Sequence, residues 1–298
     1  MLPEDYVTPS TVEEALATLA SHRGRARIIA GGSDLILQLR RGERAVGCLV
    51  DISRIPGLDE IKLQDSHVVI GAMATHARIE RSRLVRERAP ALADACSRIG
   101  SPQIRNVGTL AGNVVNAQPA ADGSIALLAL DAEAEIANLT GRQWVPVSSL
   151  FVSPGVSRVD ASAELVIAFR VRAQAPREAS AFERLARRKA LALPLINVAA
   201  RVLLDADGSR IREARLAIGP VAPTPFRTRQ AEDFLAGQPA ERETIEEAAE
   251  MAIRECKPRS SLLRAGKEYR LELIRVLSRR ALIRAIETAR GDEHVQDR

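Results

Sequence analysis

Apolar positions along the chain recur at two spacings, and the switches between them predict its elements. Val12, Ala15, Leu16 and Leu19 follow the helical period behind Ser10 or Thr11, with Glu13 and Glu14 in the first turn. Residues 12–20 therefore read as a capped helix. Arg27-Ile28-Ile29-Ala30 is a short apolar run that predicts a buried strand. It leads straight into Gly31-Gly32-Ser33-Asp34, a helical stretch over 35–40, and a second strand over 47–52. Strand, glycine turn, helix and strand in that order are an α/β arrangement.

Further along, 58–63 and 67–70 predict a hairpin, and 75–80, 84–88 and 89–99 predict helices. Residues 100–122, rich in Gly, Asn and small side chains, do not read as any regular element. An apolar stretch over 124–131 precedes strands over 134–139, 143–146 and 164–171. A boundary is expected near Ala173-Gln174-Ala175-Pro176-Arg177. Beyond it, 181–187, 197–205 and 210–218 predict a second sheet, with Asp205-Ala206-Asp207-Gly208 as a hairpin turn. Helices over 231–235, 244–256 and 267–288 close the chain.

Length and composition narrow the class. The 298 residues suit two domains, and 46% apolar with 27% charged residues is ordinary for a globular protein with a sizeable core. Aromatics are only 3%, so aliphatic side chains must fill that core. The net charge of +5 comes from cations interleaved with Asp and Glu, without a long basic run and with few aromatics to stack on bases. Solvated helix faces and a partner subunit explain it better than nucleic acid. Three scattered cysteines, Cys48, Cys96 and Cys256, form no CxxC pair. They point away from a disulfide framework or a self-contained iron–sulfur cluster and suit a reducing cytoplasm. His22, His67, His76 and His294 lack metal-ligand spacing. No basic region followed by an apolar run opens the chain at Met1-Leu2, and no segment has the length of a membrane span. A cytoplasmic protein is expected.

Two glycine-containing segments carry candidate chemistry. In Ile29-Ala30-Gly31-Gly32-Ser33-Asp34-Leu35 a strand ends in two glycines and opens a helix. Backbone N–H groups converge there, and missing Cβ atoms allow a phosphate close approach. Taken alone, this segment is better explained as an ordinary βα turn capped by Ser33 or Asp34. The pattern is not GxGxxG, so no nicotinamide fingerprint is indicated. In 100–122, Thr109, Asn113, Asn116 and Asp122 offer hydroxyl, amide and carboxylate groups to phosphates or a polyol. A long irregular loop in a compact domain is usually functional. A structural loop whose polar groups satisfy each other remains the alternative, and Asp122 can equally cap the helix after it.

Together these segments resemble the flavoprotein subunit of the xanthine dehydrogenase, or molybdenum hydroxylase, family. The resemblance rests on Ala30-Gly31-Gly32-Ser33-Asp34-Leu35 and on Pro102-Gln103-Ile104-Arg105-Asn106-Val107-Gly108-Thr109, continuing through Gly112-Asn113 to Pro119-Ala120-Ala121-Asp122. It extends to Ala181-Phe182-Glu183-Arg184-Leu185-Ala186-Arg187-Arg188, Val221-Ala222-Pro223-Thr224-Pro225 and Pro258-Arg259-Ser260-Ser261. It implies an α+β protein. A two-part FAD-binding domain of the vanillyl-alcohol-oxidase (PCMH) type spans 1–175, with subdomains of about 1–56 and 57–175. A C-terminal α+β domain resembling that of the CO dehydrogenase flavoprotein spans 176–298.

The resemblance further implies that Ile29, Ala30, Gly31, Gly32, Ser33, Asp34 and Leu35 wrap the FAD pyrophosphate. Gly108, Thr109, Gly112, Asn113, Val115, Asn116 and Asp122 supply the second set of FAD contacts. Ile99 and Ile167 take apolar positions near the isoalloxazine, where either can equally be core. Arg184 matches a basic residue near the flavin, and Arg188 a basic position just after it. Ile99 stands where some members carry an aromatic ring, and Ser33 where the carbon-monoxide branch has His. The cysteine-rich insertion of some aromatic-CoA reductases is absent.

In that family a large subunit carries molybdopterin, a small subunit carries two [2Fe–2S] centres, and the flavin subunit passes electrons to NAD+ or another acceptor. A stand-alone flavin oxidoreductase and a non-catalytic scaffold subunit are the competing readings. The first lacks a clear acid–base group, so no catalytic residue is assigned, and intact loop glycines oppose the second.

Overall fold

The computed structural model describes residues 3–260 and 265–291. Met1-Leu2, Ser261 and His294, which entered the reading above, lie outside them. The first unit is a three-stranded parallel sheet in the order β1-β3-β2 (Asp5–Val7, Cys48–Asp51 and Ala26–Ile29). Helix α1 (Val12–Ser21) buries Val12, Ala15, Leu16 and Leu19 against it, and Thr11 caps it by accepting from the Glu14 N–H. Helix α2 (Leu35–Arg40) connects β2 to β3.

The second unit is a five-stranded antiparallel sheet. Its order is β4-β5-β10-β6-β7 (Ile61–Gln64, His67–Gly71, Leu165–Arg172, Glu133–Asn138 and Gly141–Pro146). The β4–β5 turn places Asp65 and Ser66 at positive φ, which matches the twist of a tight hairpin. Helices α3 (His76–Arg81), α4 (Arg83–Arg88) and α5 (Pro90–Ser97) follow β5. The segment expected to be irregular instead contains two short helices, α6 (Pro102–Val107) and α7 (Leu110–Val115), ahead of α8 (Asp122–Ala129). Ser101 and Thr109 cap α6 and α7 by accepting from the Ile104 and Gly112 N–H groups. Interior Gly and Asn residues hid these helices, because both lower intrinsic helix propensity. A two-stranded hairpin, β8-β9 (Phe151–Ser153 and Val156–Ser157), and the strand β1 also went unpredicted; they are too short for alternation to show.

The third sheet has the order β11-β12-β13-β14 (Glu178–Ala186, Pro194–Leu204, Ile211–Gly219 and Phe226–Arg227). Helices α9 (Arg229–Leu235), α10 (Arg242–Glu255) and α11 (Lys267–Arg290) complete the chain. Strand β12 is buried on both faces. Ile196, Val198, Ala200, Val202 and Leu204 enter the core shared with α10 and α11, while Ala199 enters the core of the five-stranded sheet, α5 and α8. Helices α5 and α8 therefore form a layer between two sheets, and the turn and start of α8 rest on β12 and β13.

The same face of β12 that carries Ala199 also carries Asn197 and Arg201, both buried. Arg201 pairs with the fully buried carboxylate of Glu178, which also accepts from Arg172 Nη2 at 3.0 Å and from the Ala175 N–H at 2.9 Å. Asp131, in the turn after α8, accepts from Arg215 at 2.6 Å and pairs with Arg227. These pairs bridge the five-stranded and four-stranded sheets. Removing Glu178 leaves the buried Arg201 guanidinium with only its longer contacts to Asp131 and Glu213, both at 3.6 Å. Glu178→Ala is expected to lower unfolding free energy by about 3–5 kcal/mol, read as a fall in the urea midpoint.

Candidate functional site

The first glycine segment leaves β2 at Ile29 and turns at Gly32, whose φ of +67° favours glycine. Asp34 stands at the N-cap of α2 but makes no side-chain capping bond. The N–H groups of Gly31, Gly32, Ser33 and Asp34 have no protein acceptor among the described residues. They form a row of free donors, with Ala30, Gly31, Gly32 and Ser33 half-buried and Asp34 exposed. Ile29 and Leu35 pack against a small apolar cluster of Leu39, Val46 and Leu49, so they anchor the turn from below.

The second segment is bolted directly against this turn. A Cβ on Gly31 would lie 2.0 Å from the carbonyl oxygen of Val107, so the two backbones touch. Loop two is fastened in turn to the start of α3. The His76 N–H donates to the Gly108 carbonyl at 3.0 Å, and the Leu110 N–H to the Ala74 carbonyl at 3.2 Å. Gly108 has a φ of −66°, and a Cβ there would meet the Ile104 carbonyl at 3.0 Å and the His76 ring at 3.3 Å. Gly112 sits inside α7, and its Cβ position meets only the capping Thr109 hydroxyl, at 3.1 Å. Positive φ thus explains neither glycine; close approach explains Gly108.

The polar groups of this segment divide into two sets. Asn113 Oδ1 is buried without a partner, 2.8 Å from the Cβ position of Gly123, while Asn113, Val115 and Asn116 are half-buried around it. Asp122 does not cap α8. Its carboxylate accepts from Asn197 Nδ2 at 2.6 Å and from Arg184 Nε at 3.1 Å. Arg184 also donates to the Ala192 carbonyl, and Arg188 to the Leu191 carbonyl at 2.7 Å from an exposed position. Ile99 is half-buried, with its carbonyl held by Arg105 Nη1 at 3.3 Å. Ile167 is core, in the apolar cluster against which Ala30 and Met73 also pack.

Contacts run from Gly31 to Val107 and Gly108, from Thr109 to Asn113, from Asn113 to Gly123, and from its neighbour Asp122 to Arg184. Free N–H donors suit a diphosphate, and the amides and hydroxyl suit a polyol. The residues present therefore fit FAD. Two cavities of about 760 and 580 Å³ lie elsewhere, and of the candidate residues only Ile167 lines either.

Comparison with known proteins decides the family. Residues 2–172 match the FAD binding domain in molybdopterin dehydrogenase, and residues 180–285 the CO dehydrogenase flavoprotein C-terminal domain. The chain belongs to this family. It is an FAD-binding subunit of the xanthine and CO dehydrogenase type. It is 34% identical over 289 residues to the xanthine dehydrogenase FAD-binding subunit of Escherichia coli O157:H7, covering 96% of this chain and 97% of that one. It is 33% identical to the 6-hydroxypseudooxynicotine dehydrogenase complex subunit alpha of Paenarthrobacter nicotinovorans, with 98% of each chain covered. The structure of carbon monoxide dehydrogenase from Hydrogenophaga pseudoflava superposes with a TM-score of 0.89 at 30% identity, over 97% of this chain and 99% of that one. The α+β architecture expected from the resemblance is the one observed.

Three residues of this FAD-binding subunit's site escaped the sequence reading. Val107 contributes only a carbonyl, which no side-chain pattern reveals. Asn197 was visible as a lone amide in the apolar run 194–204, a signal for a specific buried partner. His76 is 3% exposed beneath loop two, with Nδ1 unpartnered. Burial first, and the charge of Arg105 second, lower its pKa from 6.5 to about 4.

Two outcomes follow from this geometry. Gly31→Ala is expected to remove bound FAD while a cooperative unfolding transition remains, because the methyl group would separate the loops; full flavin occupancy by absorbance would contradict it. His76 is neutral when folded, and its unfolded form takes up a proton more readily. Its contribution is complete above pH 6.5 and is lost as the pH falls towards 4, a difference of about 3 kcal/mol. In His76→Gln the melting temperature is expected to fall less steeply than in the native protein across that window.

Proposed function

We propose that this chain is the electron-transfer flavoprotein of a heterotrimeric molybdenum hydroxylase. It takes electrons from [2Fe–2S] centres on a small partner subunit and passes them to NAD+ or another soluble acceptor. A large partner subunit carries molybdopterin and selects the organic substrate. The observation that carries the reading is the backbone contact at Gly31 and Val107. It holds the first turn, with its row of free N–H donors, against the segment that also carries the half-buried Asn113 and Asn116.

In this reading the FAD-binding domain spans 1–175 and the C-terminal domain 176–298. FAD supplies the exchange between two-electron and one-electron chemistry when bound. Gly31, Gly32, Ser33 and Asp34 hold the diphosphate by their N–H groups, with Ile29, Ala30 and Leu35 shaping the turn. Gly108, Thr109, Gly112, Asn113, Val115 and Asn116 hold the other side of the cofactor. Ile99 excludes water from its edge, and Ile167 supports the first loop from the core. Arg184 and Asp122 close the far end as a buried pair. No histidine lies in either loop, and hydride delivery to a soluble acceptor needs no acid–base group.

Among the described residues, no group of three or more His, Cys, Asp or Glu is placed to hold a metal ion. In this reading the metal centres lie on the partner chains. Cys48, Cys96 and Cys256 are free and buried, which suits a reducing cytoplasm. No helix among the described residues is long and apolar enough to cross a membrane.

The test is purification of the tagged chain from its own host. Two further polypeptides, with iron, molybdenum and flavin absorbance, are expected to come with it, and the complex is expected to reduce NAD+ when given its substrate. Recovery of a flavin-loaded chain that oxidises a small molecule unaided would replace this reading with the stand-alone one.

A further inference from the structure

The tail of the second loop is held by the C-terminal sheet rather than by its own domain. Asn197, on β12, is completely buried and donates from Nδ2 to Asp122 Oδ1 at 2.6 Å and to the Ala120 carbonyl at 3.4 Å. On the neighbouring strand, a Cβ on Gly219 would lie 2.6 Å from the Pro119 carbonyl and 2.7 Å from Asn197 Oδ1. Residues 119–122 therefore rest on β12 and β13 with no space for an added methyl. Asn197 Oδ1 itself has no partner, so the amide is oriented entirely by what its nitrogen binds.

We propose that Asn197 is a positioning residue for cofactor binding: it fixes the Asp122 carboxylate, and through it Arg184, so that the FAD-binding segment keeps its shape only against the docked C-terminal sheet. This rests on the flavin reading above.

The arrangement is asymmetric in a way that favours positioning over bulk stabilisation. A carboxylate so deeply buried needs every donor it can reach. Arg184 offers Asp122 only its Nε, because Nη2 is committed to the Ala192 carbonyl. Asn197 supplies the shorter bond and comes from a different strand, so the two donors approach from β11 and β12 and define the carboxylate plane between them. The charged or titratable groups around Asp122 are Arg184 on β11, Arg98 after α5 and the Cys96 thiol on α5. Burial pushes the Asp122 carboxyl up to about 6, against the lowering effects of Arg184, the Asn197 hydrogen bond and Arg98. Losing the Asn197 bond moves that titration further up, and protonation dissolves the pair with Arg184.

The experiment uses the FAD-loaded full chain, with free FAD measured by fluorescence as the pH is lowered. Native protein is expected to release FAD as the pH falls through about 6. Asn197→Leu, of similar volume but without a donor, is expected to bind FAD roughly tenfold more weakly at neutral pH. Its release midpoint is expected to rise by about one pH unit. Asn197→Asp, which keeps the shape and sets a second carboxyl beside Asp122, is expected to move the midpoint the same way and provides the test if the leucine variant does not fold. A lower melting temperature with native FAD affinity and native release midpoint would overturn the proposal, because a merely structural role predicts that outcome. Native protein that retains no FAD at any pH would instead sink the flavin reading itself.

Discussion

The contact between Gly31 and the Val107 carbonyl is the constraint on which the candidate site depends. Two segments separated by more than seventy residues meet backbone to backbone, and no side chain larger than hydrogen fits between them. Everything on either side serves that approach. Ile29 and Leu35 anchor the first turn in apolar packing, while hydrogen bonds of His76 and Ala74 fasten the second to the start of α3. Donors left free by the turn can then face a ligand without being consumed by the fold.

The second loop has two ends with different supports. Its beginning belongs to α3 and the sheet beneath it. Its tail belongs to β12 and β13, where Asn197, Arg184 and Gly219 close around Asp122 and Pro119. Helix α8 carries this dependence onward, because it lies between the two sheets and is buried on every side. At its far end Asp131 enters the arginine pairs that join the same two layers. A site formally carried by the first domain is thus shaped by the second. Buried charge makes the junction specific, since a misplaced Glu178 or Arg201 has no water to fall back on.

Much of this was legible before any coordinates. Helical spacing at 12, 15, 16 and 19 located α1, and the apolar run at 28 and 29 located β2, because each buries one face against a continuous core. The strand–turn–strand order at 197–218 likewise marked β12 and β13. Failures came where the local signal was weak. Glycines and asparagines in 100–122 masked α6 and α7, whose six residues are held by caps and tertiary contacts rather than by propensity. Gly112, in the second glycine-containing segment, is an ordinary helical residue of α7.

By itself the sequence determined the longer elements and their order, the glycine segments and, through its motifs, the family. Those are local properties: period, turn chemistry and short strings of residues. Only the tertiary structure decided which groups face which. It engaged the Asp122 carboxylate with Arg184 and Asn197, left the N–H groups of Gly31 to Asp34 without protein acceptors among the described residues, and placed Ile167 in the core. Those assignments depend on strands brought together across long separations and on carbonyls that carry no side-chain signature. A backbone oxygen such as that of Val107 is identical in every residue, so its role exists only once the chain is folded.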